Sequence, residues 1–132
     1  MTPHLIMRHE IFDLVMVAAP ILLADLETGE ILHATPAMER MFGCKLIGGM
    51  VGKNVDDLVP ERLREKHKGL RDAYKESPRP LSTSSAMTMS GGNRLVGVRM
   101  DDAREFELQI GLVPGQLPSG RQRVVMVVAI SL

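Results

Sequence analysis

The sequence predicts a single α+β domain: a five-stranded antiparallel sheet with short helices and one longer helix packed on one face. Three observations carry that expectation. Val96, Val98 and Met100 alternate with Gly97 and Arg99, and Phe106, Leu108, Ile110 and Leu112 alternate with Glu107, Gln109 and Gly111, the period of half-buried strands. The run VVMVVAI at 124–130 is too continuous to alternate and reads as a central strand covered on both faces. Ahead of these strands, Leu63, His67, Leu70 and Tyr74 recur at helical spacing and share one face.

The elements follow in order. Residues 1–19 are expected to form an N-terminal helical cap: in LIMRHEIFDLVMVA, Ile6, Phe12 and Met16 stand among charges with Leu5, Ile11 and Val15 close behind, so this helix has an apolar face to cover. Residues 20–132 are expected to form the main domain. ILLADLETGEILHA reads as strand, turn, strand, with Gly29 able to take the positive φ of a hairpin bulge. In TPAMERMFG, Thr35 is the candidate N-cap, Pro36 lies in the first turn and Gly43 is the stop, with Met38, Met41 and Phe42 facing inward. The glycines of CKLIGGMVGKNVDDL leave room for little more than single turns. Pro60 then opens the longer helix at a position where its missing N–H is harmless. LSTSSAMTMSGGN reads as a polar loop, Asp101-Asp102 as a turn between strands, and Pro114 to Gly120 as a second loop.

Bulk composition narrows the function. A chain of 132 residues, 45% hydrophobic, can bury one core. Sixteen basic residues balance sixteen acidic ones, so no charge excess argues for a nucleic-acid or membrane-surface partner. The lone Cys44 forms no internal disulfide and no CxxC site, which favours a reducing compartment, the cytoplasm. The run LVMVAAPILLAD is split by Pro20 and is too short for a membrane span. No HExxH, GxSxG, Walker A or dinucleotide-binding glycine pattern occurs, so neither zinc nor catalysis has a sequence basis.

The segments AAPILLADLETGEILHATPAMERMFG, LIGGMVGKNVDDLVPERLREKH and RLVGVRMDDAREFELQIGLVP resemble, in this order and at these distances, a PAS domain over nearly the whole chain. Thr35 stands where the family commonly has Asn, and Met100-Asp101-Asp102 where it commonly has a Lys-Asp-Gly turn. The resemblance implies the PAS fold and a sensory or protein-interaction module, with a cavity between sheet and helices for a small ligand of unknown identity. It also implies a homodimer, the N-terminal helix either covering the sheet of its own subunit or packing against a twin, and a downstream signalling protein as partner. The chain is expected to be either free-standing or the first piece of a longer protein.

His67 is the sharpest candidate residue. Pro60, His67 and Tyr74 match the spacing of the haem-binding PAS subset, which implies a gas or redox sensor with His67 as axial iron ligand. The other reading is an imidazole satisfied by a hydrogen bond. The expected cavity set is His67, Leu63, Leu70, Tyr74, Met89, Met100, Ile110 and Met126, the methionines serving as adaptable packing or as a sixth iron ligand. Cys44 lies outside the Asn-Cys-Arg run of flavin-adduct relatives and reads as a small thiol.

Overall fold

The structure is a computed structural model that describes residues 19–81, 94–118 and 120–132. The expected helical cap before Ala19, most of the polar loop and Met89 lie outside the described residues.

Strands β1 (Ile21–Asp25) and β2 (Ile31–Ala34) form the expected hairpin. The Asp25 carboxylate accepts from the Glu27 and Thr28 amides at 2.8 Å each, and Gly29 takes φ +81°, which closes the turn. Helix α1 (Pro36–Met41) follows, capped by Thr35 as predicted. The Thr35 hydroxyl accepts from the Met38 amide at 3.3 Å and the Ile21 amide at 3.0 Å and donates to the Ala19 carbonyl at 2.6 Å. One hydroxyl thereby caps α1 and ties it to the start of β1.

Two 3-10 turns, Val55–Leu58 and Glu61–Leu63, precede helix α2 (Arg64–Glu76). The helix expected from Pro60 therefore starts as a 3-10 turn and becomes α-helical only at Arg64. Strands β3 (Arg94–Val98), β4 (Glu105–Gln116) and β5 (Arg123–Ser131) complete the sheet, whose order is β2-β1-β5-β4-β3 with every pairing antiparallel. The strand predicted to be central, β5, is central.

Strand β4 runs past Leu112 through Pro114, which the sequence assigns to a loop. Leu112 exchanges both backbone hydrogen bonds with Leu81, so its N–H points away from β5. Alternation turns position 114 the same way, and the missing N–H of Pro114 removes nothing from the β4–β5 ladder. In the β3–β4 turn, expected at Asp101-Asp102, Ala103 takes the left-handed conformation at φ 60°.

The core gathers on one face of the sheet. Leu22, Ala24, Leu108 and Ala129 meet Met38 of α1 and Phe42 at its C-terminal cap, with Ile31, Met50 and Leu58 closing the layer; Ile31 and Met50 are fully buried. Phe42 and Phe106 stack edge to face with centroids 5.2 Å apart. Gly97 makes this contact possible, since a Cβ there would stand 3.0 Å from the Phe42 ring and 3.1 Å from Phe106.

Candidate functional site

His67 and Arg71 are four residues apart on α2 and therefore share a helix face. Facing them is Asp56, held in the first 3-10 turn by a capping box in which Asn54 and Asp57 satisfy each other's backbone ends. The Asp56 amide donates to the Asn54 side chain at 2.9 Å, and the Asn54 amide group donates to the Thr28 carbonyl of the β1–β2 turn at 2.8 Å. The carboxylate is thus positioned before α2 reaches it.

His67 Nδ1 lies 2.7 Å from Asp56 Oδ1. Arg71 closes a two-pronged bond on the same carboxylate, Nε to Oδ1 at 3.0 Å and Nη2 to Oδ2 at 2.7 Å. All three side chains are largely withdrawn from water, at 16%, 18% and 19% exposed for His67, Arg71 and Asp56. Burial alone pushes the Asp56 carboxyl up, but the hydrogen bonds and charges of Arg71 and His67 outweigh it and hold the group below its ordinary value. Because a carboxylate accepts, Nδ1 carries the imidazole proton and Nε2 keeps a lone pair in the neutral ring. Glycine at position 29 lets the Arg71 guanidinium lie against the hairpin, since a Cβ there would stand 2.8 Å from Nη1.

The remaining expected cavity residues do not converge on His67. Leu63 is half-buried, but Leu70 is 44% exposed, a correction to its predicted inward placement. The cause is that α2 buries none of its residues and is held largely through polar contacts. Tyr74 is half-buried and its hydroxyl donates to the Arg79 carbonyl at 2.7 Å, so it pins the chain leaving the helix; burial pushes its phenol up. Met100 sits in the β3–β4 turn, exposed, its amide bonded to the Phe42 carbonyl at 2.7 Å, rather than on a cavity wall. Ile110 packs against the core opposite Ala129.

Met126 is the second clear correction. It pairs with Leu23 and Val113, whereas its neighbours Val125 and Val127 pack against the core. Successive side chains of a strand point to opposite faces, so Met126 belongs to the outer face of the sheet. A haem would need a broad apolar slot beside the imidazole. His67 offers suitable donor chemistry, but the described residues around it are an ion pair, and the expected apolar wall is divided between solvent and two sheet faces.

Sequence reasoning missed Asp56, Arg71 and Asn54. The spacing of His67 and Arg71 was visible, but their common acceptor lies 11 and 15 residues upstream, where no helical period reaches it.

The PAS fold family matches residues 7–129. No curated protein sequence matches the chain. Among solved structures, a PAS domain from Colwellia psychrerythraea aligns at TM-score 0.68 and 16% identity, covering 98% of this chain and 97% of that one. A PAS domain of a two-component sensor histidine kinase aligns at TM-score 0.61 and 11% identity, over 99% and 100% of the two chains. An RNA-binding light-oxygen-voltage receptor aligns at TM-score 0.69 and 16% identity; the alignment covers 99% of this chain and 35% of that receptor. At such identities the neighbours show the fold, and with the family match over most of its length the chain belongs to the PAS family.

Proposed function

We propose that this domain is a sensory, non-enzymatic signalling module that works through protein contact, as a homodimer formed across the outer face of its sheet and coupled to a downstream signalling protein. The observation that carries this reading is the apolar character of that face. Leu23, Val113, Met126, Val128 and Ile130 share it by register, and Val113 and Ile130 are 46% and 45% exposed. A two-fold contact through one such surface is self-complementary. Light scattering at micromolar concentration tests it: the expected mass is a dimer's, and Ile130→Asp together with Val113→Asp should return a monomer. A monomeric wild type would sink the proposal.

A second reading, binding of a small ligand with haem as one candidate, is favoured by one observation. The Asp56 bond fixes the tautomer of His67 so that Nε2 is left as an acceptor or ligand atom. Titration with haemin decides the haem case; a sharp Soret band abolished by His67→Ala supports it, and an unchanged free-haemin spectrum rejects it. Native mass spectrometry of the purified protein reads any other retained ligand.

A further inference from the structure

The apolar outer face of the sheet carries a titratable ring. Strand register sets His33 of β2 opposite Leu23 of β1, Leu23 opposite Met126 of β5, and Met126 opposite Val113 of β4. The four side chains therefore form one row across that face. Ile31 and Ala34 of the same strand pair with Ala24 and Leu22 and are buried in the core, whereas His33 is exposed. Among the described residues His33 has no hydrogen-bond or ion-pair partner.

Area brings the ring into a dimer contact. A stable interface takes about 800 Å² from each partner, equivalent to a disc of radius about 16 Å. Strand β2 lies two places from the central β5, which is about 10 Å at the spacing of paired strands. A twin seated on Met126 and Val128 therefore covers His33 too, and the water around the imidazole is lost.

The charges on that face decide which form of the ring tolerates this. On β1 the acidic neighbour is Asp25, two residues beyond Leu23, and its carboxylate already accepts from the Glu27 and Thr28 amides and from Gln122. On β5 the outward residues Met126, Val128 and Ile130 are apolar. Strand β4 places Glu107 and Glu105 on the face, but six and eight residues from Val113, about 20 Å or more away at the rise of a strand. Arg94 of β3 pairs with Gln109, near those glutamates rather than near His33. At the start of β2, Glu30 and Lys53 offer opposite charges, with Glu30 bridged to Asn54 and the Lys53 carbonyl bonded to the Ile31 amide. A two-fold axis between sheets with aligned strands lays β2 over the partner's β2 or over its β4 flank. The first arrangement meets a second imidazole and the second meets the Val113 flank, so neither supplies a free carboxylate. A protonated ring there is dehydrated without an anion to meet it, and the contact selects the neutral form.

We propose, resting on the dimer reading of this face, that acid releases the two subunits through His33. The neutral imidazole fits the sheet-to-sheet contact and the imidazolium is excluded from it, so acidification is the stimulus that the domain reads. Each subunit takes up a proton on leaving the contact, and monomer is favoured as pH falls. Sedimentation equilibrium of the full chain at about pH 7.5 and about pH 5.5, at one ionic strength, tests this across the interval in which histidine changes charge. The dissociation constant should rise at least about tenfold at the lower pH, while the circular dichroism spectrum stays that of the folded chain. His33→Gln and His33→Phe, neutral at both values, should remove the rise. A wild-type constant equal at both values, a rise that persists in both variants, or a rise accompanied by unfolding overturns the release mechanism and leaves the dimer standing. A wild type that is monomeric at both values overturns the dimer itself, and the release with it.

Discussion

At the residue scale, Asp56 concentrates the polar attachment of α2. Its two oxygens accept from His67 and Arg71, and each of those side chains is withdrawn enough from water that losing the acceptor leaves it unsatisfied. Asp56→Ala is expected to destabilise the fold by roughly 1–3 kcal/mol, the range for hydrogen bonds to charged groups and for orphaned partners. The urea midpoint should fall with little change in slope. Asp56→Asn keeps the shape and one acceptor but removes the charge, so it should recover part of the loss. Equal stability of wild type and Asp56→Ala would show that α2 is held by other contacts.

At the element scale, sequence pattern located each strand but not its role in packing. The alternation in β3 identifies Gly97 as a residue between Val96 and Val98, and only the fold shows why it is bare: the rings of Phe42 and Phe106 and the Leu108 side chain converge on it. Gly97→Ala places a methyl at 3.0–3.2 Å from three groups and is expected to destabilise by about 1–3 kcal/mol, the usual range for overpacking. Thermal unfolding reads this, and an unshifted midpoint would mean that the ring pair yields freely. Helix α2 gives the complementary lesson. A four-residue recurrence correctly marked a helix, yet its stripe is only partly covered: Leu63, His67 and Tyr74 are half-buried, while the bonds of His67 and Arg71 to Asp56 leave Leu70 toward water.

At the scale of the whole molecule, the carboxyl groups with shifted acidity among the described residues all move in one direction. For Asp25 and Asp56 burial acts upward first, but hydrogen bonds from Gln122 and Thr28 in one case and Arg71 and His67 in the other prevail; both end below the ordinary value of 3.8. The exposed Asp101 and Glu105 are lowered chiefly by their bonds to Arg99 and Arg62. A carboxyl depressed in the folded state stabilises it fully above the unfolded value, and that stability is lost as pH falls through the folded one. The melting temperature should therefore hold between neutrality and the ordinary carboxyl values of 3.8 and 4.5, then drop steadily below them. In Asp56→Asn the drop should be shallower. An acid profile identical to wild type would remove Asp56 from the account.

Among the described residues, the sequence by itself determined the strand and helix succession, the hairpin at Gly29, the Thr35 cap and the centrality of β5, and it determined membership of the PAS family. Each rests on period, on short-range turn chemistry or on motif order, which are local properties of a chain. Only the tertiary structure decided which partner His67 meets, which face Met126 occupies, where Leu70 and Met100 end and that His33 stands in the outer row of the sheet. Those outcomes depend on register and on contacts between distant segments: one residue of register exchanges the two faces of a strand, and a carboxylate from a preceding turn can decide which flank of a helix stripe meets water.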